Sequence, residues 1–253
     1  MRELHDDRHY LTRLREMIVK MQKSGNMWDG ARFITAEVPL DPKNVREILP
    51  LGMKPADPES GMLFIVDYPK TSFDVAYKEA ALLVNVKTPL GKGVHCCWMV
   101  VDDETALIYG RESLGYPKKM ADFEFQEDGD AVFGSITRRG VTALTLEGVK
   151  GEAQENPAPL FAKKTFNVGG PGQMLGINPV WLFKPQEVIR ESYDLDVTVT
   201  VEWSEYDPLA ALIAGPASSG RFVVMDIPGS DYMFPVGFAG LKFFINTHAL
   251  RFR

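Results

Sequence analysis

The stretch from Asp122 to Leu146 reads DFEFQEDGDAVFGSITRRGVTALTL. Apolar and polar residues alternate or cluster at 122–126, 131–137 and 143–146, the two-residue signature of half-buried strands. Glu127-Asp128-Gly129-Asp130 separates the first two runs and Arg139-Gly140 follows the second, and both are turn-forming sequences. Strands joined by turns this short run antiparallel, which excludes a β-α-β nucleotide-binding architecture. Working outward, similar runs occur at 32–38, 62–68, 77–87, 94–102, 180–183, 196–203 and 221–227, so strands dominate the chain.

Helical signals are few. Leu11, Leu14, Met17, Ile18 and Met21 recur at helical spacing among charges, predicting an amphipathic helix within residues 8–24. A shorter helix is expected at 41–49, where Asp41 can cap, Pro42 suits the first helical position and Pro50 stops the run. Asn167-Val168-Gly169-Gly170-Pro171-Gly172 matches neither a dinucleotide fingerprint nor a phosphate loop, and reads as a bend or lid.

The 253 residues fit one domain spanning 1–253, because strand-rich domains often reach this size undivided. An apolar fraction of 45% and a charged fraction of 25% exclude collagen-like and disordered readings. With 28 Lys+Arg against 34 Asp+Glu the formal charge is −6, which argues against a nucleic-acid partner. No apolar run reaches the length of a membrane span and residues 1–10 lack a signal-peptide core, so a cytoplasmic address and no membrane partner are expected. Cys96 and Cys97 are strand neighbours facing opposite ways, which predicts packed thiols.

His5, His9, His95 and His248 show no metal-ligand spacing, so no metal is expected. A serine nucleophile finds no elbow, since Gly110 to Gly115 has the wrong spacing around Ser113. The chemical lead is Tyr116-Pro117-Lys118-Lys119, two lysines after a proline in an apolar neighbourhood. Taken alone, such a tetrapeptide is usually a solvated turn.

The longer run Gly110-Arg111-Glu112-Ser113-Leu114-Gly115-Tyr116-Pro117-Lys118-Lys119 resembles the signature of the acetoacetate decarboxylase family, in which the first lysine forms a Schiff base with a keto acid. A looser likeness extends back to Gly30-Ala31-Arg32 and Leu49-Pro50, and forward to Asp196-Val197-Thr198-Val199. The resemblance implies an α+β fold, a closed or nearly closed antiparallel β-barrel with flanking helices, and a homo-oligomer. It also implies a small keto acid as substrate and no cofactor, the lysine imine itself being the electron sink.

Lys118 is then the expected nucleophile and Lys119 its neighbouring cation. A lysine of ordinary pKa, about 10.4, is neutral in only about one molecule in 2500 at pH 7. Reaching neutrality near pH 7 costs roughly 4.6 kcal/mol, of which a second ammonium about 7 Å away supplies roughly 2.4. Desolvation is therefore expected to be the larger influence. Tyr116 and Pro117 would aim the pair. Residue by residue, the likeness makes Glu79 an active-site carboxylate and Arg32 a carboxylate-binding guanidinium. It places Phe64 where the family carries a second glutamate, with Asp67 on the opposite face of the strand. An apolar Phe64 suggests a substrate bulkier than acetoacetate.

Two lyase chemistries share the iminium. Decarboxylation of a β-keto acid is the leading expectation, and a pyruvate-dependent aldolase-dehydratase, with Tyr232 as an acid, is the alternative. A non-catalytic small-molecule-binding barrel is the third reading.

Overall fold

The structure, a computed structural model, describes residues 12, 26–161, 164–169 and 178–252. The expected helix at 8–24, apart from Thr12, and residues 170–172 of the glycine-rich stretch lie outside the described residues. In chain order the strands are β1 (Trp28–Pro39), β2 (Lys54–Pro55), β3 (Ser60–Tyr68), β4 (Lys70–Thr71), β5 (Tyr77–Thr88), β6 (Gly91–Val101), β7 (Lys118–Met120) and β8 (Asp122–Asp128). Then come β9 (Ala131–Arg138), β10 (Val141–Ala153), β11 (Lys164–Val168), β12 (Pro179–Pro185), β13 (Val188–Val201), β14 (Ser219–Ile227) and β15 (Ser230–Phe238). The helices are α1 (Pro42–Ile48), α2 (Glu104–Leu114), α3 (Gly240–Asn246) and α4 (His248–Phe252). No helix among the described residues is long and apolar enough to cross a membrane.

All ten runs expected from periodicity fall on strands, and the two hairpins form as their turns require. Between β9 and β10, Arg139 (φ 52) and Gly140 (φ 79) both take positive φ, the two-residue turn whose twist matches an antiparallel pair. Asp41 caps α1, its side chain accepting the Asn44 N–H at 2.7 Å, with Pro42 at the first position.

The sheet follows one path, β15-β12-β11-β6-β5-β3-β1-β14-β13-β10-β9-β8, antiparallel except where β6 meets β11 and β7. The expected closed barrel is corrected here: among the described residues no ladder joins β8 to β15. The β8–β9–β10 end curls over the middle of the sheet instead, so close that a Cβ on Gly134 of β9 would lie 3.0 Å from Ile65 of β3. That end is therefore used in face-to-face packing rather than in edge pairing.

Curling leaves β1, β3, β5 and β6 buried on both faces, between two apolar layers. The first contains Ile34, Leu63, Ile65, Leu82, Trp98 and Ile136. The second contains Phe33, Phe64, Val66, Tyr77, Ala81 and Met99. Cys96 belongs to the second layer and Cys97 to the first, and both are free and buried, which pushes each thiol up. The β5–β6 register shifts at this point, Leu82 pairing with Trp98 and Leu83 with Cys96. The bulge puts Cys97 and Trp98 on one face and so returns Met99 to the second layer.

Candidate active site

Helix α2 forms one wall of the site, Leu114 lining its cavity. Asp103 caps it, accepting the Ala106 N–H at 2.9 Å, and Gly115 ends it at φ 70 in the left-handed region that favours glycine. The chain then passes Tyr116 and Pro117 into β7, which lies parallel to β6 with Lys118 beside Met99 and Lys119 beside Val100. Because strand side chains alternate, Lys118 enters the second layer and Lys119 the first. Arg111 donates to the Lys118 carbonyl at 2.9 Å, fixing the strand against its helix. Gly110 gives the lysine room: a Cβ there would meet Lys118 Cε at 2.4 Å and Nζ at 2.9 Å.

The Lys118 side chain is 6% exposed, and its Nζ lies 2.7 Å from Oε2 of Glu79, itself 7% exposed. The ammonium also donates to Ala106 O at 3.2 Å and sits 5.2 Å from the centre of the Tyr77 ring. Around this pair is a cavity of about 60 Å³ whose walls include Phe64, Tyr68, Met99, Tyr116 and Phe161. Phe64 packs edge-on against Phe33 and Phe161. Burial, followed by the Glu79 charge, pushes the Tyr68 and Tyr77 phenols well up, so both stay neutral hydrogen-bonding groups. Burial raises Tyr116 as well, and hydrogen bonds with Asn167 and Thr165 oppose that rise. A proton passed from Lys118 to Glu79 leaves a neutral amine beside a carboxylic acid, a nucleophile and a proton donor in one buried pocket.

Lys119 belongs to a different environment. Its Nζ lies 2.5 Å from Asp207 Oδ1 and also donates to the carbonyls of Tyr206 and Ala249. Asp207 is fully buried, accepts Trp98 Nε1 at 2.7 Å and pairs with Arg138 at 2.9 Å. Burial pulls the Lys119 ammonium down to about 8 against the attraction of Asp207; burial also works to raise the Asp207 carboxyl, but Lys119, Trp98 and Arg138 together hold it low, so the pair is ionic at neutral pH. Its charge is thereby offset on the far face of β7.

Arg32 is not brought to the cavity. It faces away from the second layer, 40% exposed, paired with Asp67 and, at 3.5 Å, with Glu127. Asp67 is thus engaged there, and the unshifted β1–β3 register keeps Phe64 on the pocket side. Tyr232 lies on β15 opposite Lys184, and its side chain falls outside the described residues. The cavity measures about 60 Å³, against the ~150 Å³ of an engineered apolar cavity that binds benzene.

Sequence reasoning passed over Tyr68, Tyr77, Phe161 and Asp207. Tyr77 had a signal, standing two residues before Glu79 and hence on the same strand face. Phe161 and Asp207 had none, because both sit in irregular segments whose packing only the folded chain defines.

Comparison with known proteins bears on the family and the fold. The acetoacetate decarboxylase (ADC) family model matches residues 16–231. The chain is 27% identical over 214 residues to an acetoacetate decarboxylase of Chromobacterium violaceum, covering 78% of this chain and 84% of that protein. It is 30% identical over 185 residues to acetoacetate decarboxylase 1 of Bradyrhizobium diazoefficiens, covering 72% and 67%. Among solved structures, acetoacetate decarboxylase from Legionella pneumophila superposes with a TM-score of 0.72 at 17% identity, covering 85% of this chain and 88% of that one. The enduracididine biosynthesis enzyme MppR, complexed with pyruvate, gives a TM-score of 0.71 at 13% identity, covering 83% and 89%. With a match from residue 16 to residue 231 that takes in the whole Gly110–Lys119 run, the chain belongs to the acetoacetate decarboxylase family.

Proposed function

We propose that this chain is a lyase that decarboxylates a small β-keto acid through a Schiff base on Lys118. The observation that carries the reading is the 2.7 Å contact between Lys118 Nζ and Glu79 inside an aromatic cavity. The neutral Lys118 amine adds to the ketone carbon, and water leaves with a proton from Glu79, giving an iminium. The bond to the carboxylate then breaks, CO₂ departs, and the bonding pair moves into the iminium to form an enamine. Glu79, reprotonated from solvent, gives a proton to the enamine carbon, and water hydrolyses the resulting iminium to the ketone and free amine, the released proton restoring the Glu79 acid. One proton is taken from solvent per turnover.

The cavity favours this outcome over chemistry that retains a carboxylate. Among the described residues, neither an arginine nor a second lysine lines it, so Lys118 is the one cation there to offset a substrate carboxylate's desolvation. Loss of CO₂ removes that charge. The proposal includes a cytoplasmic homo-oligomer that needs no organic cofactor.

The test offers acetoacetate, a longer β-keto acid, and pyruvate with an aromatic aldehyde in parallel. It measures CO₂, conjugated condensation product and the residue labelled on borohydride reduction. CO₂ from a β-keto acid with the label on Lys118 is expected. Condensation product without CO₂ would make the aldolase-dehydratase reading correct, and absence of any label would leave only a binding role.

A further inference from the structure

Phe161 closes one side of the Lys118 cavity, yet it belongs to no strand or helix. Its ring packs edge-on against Phe33 at 5.4 Å and Phe64 at 5.9 Å, both rings of the second apolar layer. The backbone leading to it, residues 154–161, is irregular, and such a stretch must be held by something other than a ladder. The holding group is Glu187, between β12 and β13. Its Oε2 accepts the Leu160 N–H at 2.7 Å and its Oε1 accepts the Phe161 N–H at 2.8 Å, one carboxylate engaging two successive amides. Charge-assisted bonds of this kind are about twice as strong as neutral ones. Arg221 completes the arrangement, donating to Ala158 O at 2.8 Å; burial raises the Glu187 carboxyl, and the two amide bonds and the Arg221 charge oppose that rise.

We propose that Glu187 is a positioning residue that seats Phe161 as the size-setting wall of the Lys118 cavity, restricting the substrate to short, unbranched ketones and their β-keto acids. The proposal rests on the Schiff-base reading for its ligand class, and the clamp itself stands on geometry alone. Phe64 is fixed by β3, so the adjustable wall is the one carried by an irregular segment. With about 60 Å³ available, a shift of the Phe161 ring by one methylene's width changes which chain lengths fit. Glutamine cannot replace the clamp, because its amide oxygen accepts one N–H while its NH₂ opposes the other.

The test compares wild type, Glu187→Gln, Phe161→Ala and the double variant. Each is incubated with 2-butanone, 2-pentanone or 2-heptanone and borohydride, and the label on Lys118 is read by mass. These ketones form the imine directly, so the readout does not depend on CO₂ loss. Wild type should label at least tenfold faster with 2-butanone than with 2-heptanone. Glu187→Gln should narrow that ratio severalfold, Phe161→Ala should narrow it at least as much, and the double variant should add nothing to Phe161→Ala. An unchanged ratio in Glu187→Gln, or additive effects in the double variant, would overturn the proposal.

Amide hydrogen exchange separates the clamp from the chemistry. Faster exchange at Leu160 and Phe161 in Glu187→Gln, with β3 and β5 unchanged, supports the clamp even if no ketone labels wild type. In that case the Schiff-base reading falls and the clamp stands. Unchanged exchange at both amides overturns the clamp whatever the labelling shows.

Discussion

Lys118 and Lys119 are adjacent in sequence and answer to different halves of the molecule. One faces Glu79 in an aromatic cavity, the other faces Asp207 beneath Trp98. Lys118→Ala should abolish borohydride labelling and, by leaving the buried Glu79 without its cation, lower stability by about 3 kcal/mol. Lys119→Met should keep the label on Lys118 and lower stability by about 1–3 kcal/mol, since Asp207 loses one buried partner and keeps Arg138 and Trp98. Denaturant melts and peptide mass analysis of the two variants check both outcomes, and an unchanged stability in Lys119→Met would contradict the buried pair. The doublet was legible in the sequence, but its division of labour was not, because Asp207 is 88 residues away in an irregular segment. His95 offers a second test at this scale. It is fully buried, its Nδ1 2.7 Å from Phe166 O, and burial pulls it from 6.5 down to about 4. The folded chain therefore holds it neutral while the unfolded chain takes up a proton. Stability is fully present above about pH 6.5 and falls as pH drops toward 4, by about 3 kcal/mol for this group. In His95→Gln the difference in unfolding free energy between pH 7.5 and pH 4.5 should shrink by that order.

At the scale of elements, the Gly110–Lys119 run is a single device whose residues have separable physical tasks. Gly110 clears space for the Lys118 chain, Arg111 ties down the Lys118 carbonyl, Gly115 ends the helix, and Tyr116 becomes a cavity wall. The run was recognisable in the sequence as a pattern, whereas the reason for its first glycine needed the packing of α2 on β7. Gly110→Ala should consequently separate function from stability. Alanine is the better helix former by roughly 1 kcal/mol, so the fold should be kept. The added methyl must displace Lys118 Nζ from Glu79, and a misplacement of about 1 Å can cost roughly a hundredfold in rate. Labelling should fall at least tenfold at unchanged thermal stability, and wild-type labelling in this variant would show that the lysine tolerates another path. The Cys97 bulge is equally silent in the sequence. Alternation alone places residues 97 and 99 on one face, and the inserted residue is what turns Met99, and with it Lys118, toward the cavity.

Across the whole molecule, the sheet separates a layer that stabilises from a layer that also reacts. Short-range patterning foretold the strands, the two hairpins and the antiparallel character, since turn chemistry and alternation are local. Closure was not foretold correctly, because it depends on how far the β8–β9–β10 end curls over β1 and β3. That curl rests on close approach at Gly134, where a Cβ would lie 3.0 Å from Ile65 Cδ1 and 3.1 Å from its Cγ2. Ile65 belongs to the first layer, and its strand neighbour Phe64 belongs to the second. Gly134→Val forces β9 away from β3 on the first-layer side only. Overpacking of this kind costs roughly 1–3 kcal/mol, which corresponds to a fall of about 4–8 °C in melting temperature near the middle of that range. Well below its lowered melting temperature, the variant should label Lys118 at the wild-type rate per folded molecule, because Phe64, Glu79 and Lys118 face the other way. Calorimetry paired with labelling at 15 °C measures both quantities on one sample. A parallel loss of labelling at that temperature would mean that strain passes through β3 to Phe64, and that the two layers are coupled rather than independent.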